Sequence, residues 1–189
     1  MIVLYFRRFI WFFAKNLVVI CVLLGMLSCG FFMAMNLSNV YVVLQDGLEK
    51  RVDVMLTRQQ AEELNKYFSP EFLLADPALS GAISGQSAYV DYNITDFDYD
   101  LTIEKAWAWP WDDYASCTVV ERVPTISGNV IASRRSEVSS RIPKWVGGRY
   151  DITLAKQNGQ WRIVGMKQLT VLMEAYDNTE NPPSEILMP

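Results

Sequence analysis

Five cations, Arg134, Arg135, Arg141, Lys144 and Arg149, fall within sixteen residues of a chain whose remainder is acidic. Their chemistry is that of a docking patch, since charge complementarity sets specificity and encounter rate with an acidic partner, an anionic polymer or headgroups. The competing reading is a sheet edge kept from self-pairing by its charge. A second group is aromatic: Trp107, Trp109 and Trp111 with Tyr114 could stack on a sugar, a peptide or a ring-shaped ligand. The odd-numbered register that Trp107 and Trp109 share with Phe97, Tyr99, Leu101 and Ile103 instead predicts both in the core, leaving only Trp111 exposed as a binding residue. Asp96, Asp98 and Asp100 alternate along one strand face and so read as solvated rather than as a calcium loop. The chain has no histidine, which removes the Ser–His and Cys–His nucleophile pairs, the usual general base and the commonest zinc ligand. No catalytic residue, metal site or cofactor site is predicted, and the protein is expected not to be an enzyme.

One stretch organises the elements that must hold these residues. Residues 17–37 are 21 positions without a charge, and as a helix they reach roughly 30 Å, the thickness of a bilayer's hydrocarbon core. They read as a transmembrane helix. Arg7, Arg8 and Lys15 precede it and no acid occurs before Asp46, so the positive-inside rule predicts a single-pass protein of the cell membrane, N-terminus cytoplasmic and remainder extracytoplasmic. Residues 1–16 form a basic cytoplasmic or interfacial segment with Trp11 at headgroup level. A cleaved signal peptide would not carry its apolar run on through Phe31, Phe32 and Met33. A lipidated Cys29 would call for a polar tether after it.

About 150 residues lie beyond the span, enough for one domain with a real core, placed at 38–176. Setting aside Arg7, Arg8 and Lys15, 14 cations face 21 acids, and this excess of negative charge speaks against nucleic acid as a partner. Cys21 and Cys29 fall in the span and Cys117 is alone outside it, so the domain holds no internal disulfide. Residues 177–189, with two adjacent prolines and no periodicity, are expected to be a disordered tail.

Within the domain, Val40, Leu44, Leu48, Val52 and Met55 recur at helical spacing and extend the span into the domain. Thr57 with Gln60 reads as a capping box for a second helix through Ala61, Leu64 and Phe68. Ser69–Pro70 starts a short third helix that ends near Asp76–Pro77, and residues 81–86 read as a loop. The period then changes to two: one long strand from Phe97 to Trp109, a partner over 116–123, weaker strands over 126–131 and 137–142, and a closing hairpin in which Asn158–Gly159 turns between Tyr150-Ile152-Leu154 and Trp161-Ile163. Helices first and antiparallel strands afterwards give an α+β domain behind a transmembrane helix.

This order, with the closing pattern carried by Tyr150, Ile152, Leu154, Trp161 and Ile163, resembles the nuclear-transport-factor-2-like fold, over roughly residues 40–170. The resemblance implies helices packed on a curved antiparallel sheet in a cone-like shape. The layout of one span plus such a domain is similar to that of the inner-membrane assembly factors of type IV secretion and conjugation systems. It implies a scaffold component of an envelope complex (conjugation, secretion or sporulation type) whose partners are the lipid bilayer, other envelope-complex proteins and further copies of itself. The alternative is a domain that binds or transforms a small ligand in the cone. One buried carboxylate facing a tyrosine across an open pocket would favour ligand chemistry, and a filled interior would favour scaffolding.

The charge asymmetry about residues 17–37 makes the orientation testable. A reporter cysteine placed on the surface near Cys117 should react with a membrane-impermeant maleimide in intact cells. Reaction only after permeabilisation would reverse the orientation.

Overall fold

In the computed structural model, which describes residues 2–173, the apolar stretch and the first helix of the domain are a single element, α1 (Ile2–Thr57). The continuity expected at Val40 is complete because no proline interrupts 56 residues. From Ala14 onward α1 is long and apolar enough to cross a membrane, and none of its apolar window is buried in protein. Past Leu37 the surroundings change. Val40, Leu44, Leu48, Val52 and Leu56, four residues apart, are each at most 1% exposed, so this stripe is the spine of the domain's core.

The capping box at Thr57 does not form. Thr57 is the last residue of α1 and its hydroxyl donates back to the Asp53 carbonyl at 2.9 Å. Arg58 and Gln60, at φ 63° and 55°, then reverse the chain at once, which leaves room only for a six-residue 3₁₀ segment, Ala61–Lys66, entered without a side-chain cap. Lys50 fastens this reversal by reaching Asp53 at 3.0 Å, Glu63 at 3.2 Å and Gln60 at 2.6 Å. Ser69 and Pro70 open α2 (Pro70–Ala75) as expected, the Ser69 hydroxyl accepting from the Phe72 N–H. Asp76 ends α2 and also caps α3 (Pro77–Ile83), accepting from the N–H groups of Ala78 and Leu79 at 3.0 and 3.3 Å. The start of the predicted 81–86 loop is therefore helical.

The strands are β1 (Tyr92–Phe97), β2 (Asp100–Ala108), β3 (Tyr114–Arg122), β4 (Ile126–Val130), β5 (Val146–Gln157) and β6 (Gln160–Met173). An antiparallel four-stranded sheet runs β2-β3-β5-β6, and β1 pairs with β4 in a separate ribbon. The expected long strand is thus two: Phe97 closes β1, the Asp98 N–H turns to the Thr125 carbonyl at 2.9 Å, and β2 begins at Asp100 in the other sheet. Residues 137–142 are not a strand. The Tyr92 hydroxyl donates to the carbonyls of Ser139 and Arg141 at 3.0 and 3.1 Å, holding this connection in a folded course that offers no edge for a ladder.

A third difference changes which residues face outward. The β2–β3 register shifts between Ile103 and Lys105, so one extra residue in β2 reverses the in–out alternation beyond it. Ala106 and Ala108 turn inward in place of Trp107 and Trp109, and Ala108 is fully buried. Trp107 and Trp109 are not core residues.

The main core lies between α1 and the sheet, where Leu44 and Leu48 meet Phe68, Val119, Ile152, Leu154 and Ile163. A second cluster joins Val52 and Leu56 to Tyr89, Tyr92, Val123 and Trp145. The expected tail, 177–189, lies outside the described residues.

The closing hairpin has the two-residue turn read from the sequence, with Gln157 opposite Gln160 and Asn158 and Gly159 at φ 51° and 81°. No atom beyond its two chain neighbours lies within 4 Å of where a Gly159 Cβ would stand, so a substitution there is resisted by the backbone alone. Gly159→Val should cost about 1–3 kcal/mol and Gly159→Asn far less. Thermal unfolding of the reconstituted protein measures both, and equal midpoints would contradict a left-handed turn.

Candidate functional site

A concavity with converging polar groups opens where α1, the α2–α3 junction, the start of β5 and the middle of β6 meet. It has a volume of about 730 Å³ and is lined by Arg51, Asp76, Tyr150, Met166 and Gln168, with Lys144 and Trp145 on one side. Arg51 projects from the polar flank of the buried stripe of α1. Its Nε donates to Asp76 Oδ2 at 2.8 Å, both side chains being more than nine-tenths buried. That is the side chain's one hydrogen bond among the described residues, so no other side chain or carbonyl among them engages its terminal guanidinium nitrogens. Burial alone would lower the Arg51 pKa, but Asp76 more than compensates and the group stays cationic. Asp76 is opposed by the same burial and held below the ordinary carboxylate range by Arg51 and the two α3 amides.

Behind this wall lies a second acid. Glu121 is fully buried; its Oε1 accepts from the indole N–H of Trp145 at 3.3 Å, and its Oε2 has no hydrogen-bond partner. Burial raises its pKa, against the attraction of Arg51 and the Trp145 bond. Tyr99, whose hydroxyl is buried and unpartnered, is pushed up by burial and by Glu121. Tyr150 is pushed up to about 12 by the same two causes, and its hydroxyl accepts from Gln168 Nε2 at 3.3 Å. Gly148 makes this possible: a Cβ there would stand 2.7 Å from Gln168 Nε2 and 3.1 Å from the Tyr150 ring.

Sequence reading missed Glu121, Arg51 and Asp76. The signal for Glu121 was present, because it shares its parity with Cys117, Val119 and Val123, all of them buried. An acid on the inward face of a strand is a group that must be neutral or partnered. The signal for Arg51 and Asp76 was not, since 25 residues separate them.

The expected basic residues are spread over the β4–β5 connection and β5. Arg134 is engaged by Asp91 and Glu137, and Arg149 by Glu104 at 2.6 Å. Lys144 reaches the pocket. Arg135 and Arg141 are exposed. Of the aromatic group, Trp111 is exposed as expected and Trp107 and Trp109 are exposed against expectation. No group of three or more metal-ligating side chains occurs among the described residues. The chain matches no family model, no curated protein and no solved structure.

The sign of the Glu121 shift fixes a pH dependence. With its pKa higher folded than unfolded, the folded state binds the extra proton, so Glu121 contributes a loss of stability as pH rises from its ordinary value of 4.5 toward its folded value. Glu121→Gln, which removes that titration, should raise stability at neutral pH by on the order of 1–3 kcal/mol and flatten the fall in thermal midpoint between acid and neutral pH. An unchanged slope would mean that Glu121 ionises freely in the fold.

Proposed function

We propose that the chain is a noncatalytic, single-pass membrane protein whose extracytoplasmic domain works by binding. Its pocket takes a small ligand with an apolar body and a carboxylate-like head. The observation that carries this reading is Arg51: a buried cation at the pocket whose charge is fixed by Asp76 and whose terminal nitrogens match a bidentate acceptor. Met55, Phe72 and Met166 supply an apolar lining, and burial disfavours the charged form of Glu121, the second acid near the bound anion. Binding is favoured over transformation because Glu121 does not line the pocket: its carboxylate accepts from the indole N–H of Trp145, which does.

A second reading places the protein as a docking component of an envelope assembly. It is favoured by the exposed cationic segment that carries Arg134, Arg135 and Arg141 and ends at the pocket with Lys144. One preparation separates the two. Protein solubilised gently from its own membrane should retain an acidic small molecule in native mass spectrometry, and Ala88→Trp, which fills the pocket from an exposed position, should weaken retention at least tenfold, about 1.4 kcal/mol. Partner proteins that co-purify with wild type and with Ala88→Trp alike, but are lost on joint reversal of Arg134, Arg135 and Arg141 to Glu, would favour docking instead.

A further inference from the structure

We propose that the aromatic turn joining β2 to β3 is a second seat on the membrane: Trp107, Trp109, Trp111 and Tyr114 rest in the zwitterionic headgroup layer at the outer end of the span. This rests on the transmembrane reading of residues 17–37 and adds a contact that reading does not contain. The four rings are 54%, 41%, 74% and 62% exposed, an unusual concentration of apolar surface in a domain that buries its other two outer tryptophans, Trp145 and Trp161, to 5% and 4%. They are mutually ordered. Trp109 stacks on Trp111 at 5.3 Å between ring centroids, and Trp107 meets Trp109 edge-on at 5.4 Å. The exposure of Trp107 and Trp109 is produced by the β2 bulge, which sends two small alanines inward and these two indoles outward.

Height is what selects the occupant. Asn36 Nδ2 donates to the carbonyls of Trp109 and Pro110 at 3.2 and 3.4 Å, so the turn is fastened at the last polar residue within the 17–37 stretch. At the opposite end Trp11 is exposed, with the Lys15 ammonium 5.4 Å from its ring centre. From Lys15 to Asn36 the helix rises roughly 32 Å, against about 30 Å for the hydrocarbon core. One aromatic group therefore stands at each boundary, where amphipathic indole and phenol rings are most stable. Asp112 and Asp113, exposed in the same turn, suit the ammonium groups of phosphatidylcholine or phosphatidylethanolamine and disfavour an anionic surface.

Tryptophan fluorescence of the full chain in phosphatidylcholine nanodiscs tests this, with nitroxide labels placed either near the headgroup or at the bilayer centre. Trp11→Phe leaves the outer cluster as the exposed emitter. The joint Trp107→Phe, Trp109→Phe and Trp111→Phe variant leaves Trp11, and Trp145 and Trp161 form a common buried background. Emission from the cluster should be blue-shifted and should lose more intensity to the shallow label than to the deep one, as should emission from Trp11. Quenching of Trp11 with none of the cluster would overturn the seat while leaving the span intact. Quenching of neither would overturn the span, and the seat with it.

Discussion

Everything in this molecule hangs on one unbroken helix whose two parts have different surroundings. From Leu17 to Met35 α1 is apolar around its circumference and exposes most of its side chains; from Val40 on it is apolar along a single stripe and buries it against the sheet. Hydrocarbon chains would provide for the first part what Phe68, Ile152 and Ile163 provide for the second. Because the backbone hydrogen bonds run unbroken through the change, no buried loop has to be satisfied at the junction. The domain's core and its attachment are the same object, and a break near Val40 would cost both.

The polar site depends on that helix as well. Arg51 lies beside Val52, one step off the buried stripe, which is why a guanidinium can be more than nine-tenths buried yet reach a cavity. Asp76 meets it because Pro77 and the cap geometry fix where α2 gives way to α3. One carboxylate thus ends a helix, starts the next and sets the charge of the pocket. A buried pair of this kind adds little net stability; its effect is to hold one arrangement of α1 against the α2–α3 junction.

Much of this architecture was legible in the residues. The stripe at four-residue spacing, the Ser69–Pro70 start and the Asn158–Gly159 turn are local signals, and each appears where its chemistry puts it. What failed were inferences that carried a local rule across a long distance. Strict alternation from Phe97 to Trp109 assumed an unbroken ladder, but a change of sheet at Asp98 and one extra residue after Ile103 reset it. Thr57 satisfies the pattern of a cap, yet Arg58 and Gln60 take positive φ and reverse the chain directly after it. The pocket was illegible for the same reason, since its groups come from α1, the α2–α3 junction and two strands, and no spacing within any one of them announces the others.

The absence of a linker between the apolar stretch and the domain would have a mechanical meaning in a membrane. Arg51 is 15 residues beyond Asn36 in the same helix, a rise of about 22 Å, so the pocket would stand on a stiff mast at a set height above the bilayer and sample a thin plane parallel to it. A tilt of about 20°, ordinary for a single span, would swing that pocket sideways by roughly 8 Å. Bilayer thickness, which contributes to tilt, would then act as a lever on where the pocket is presented.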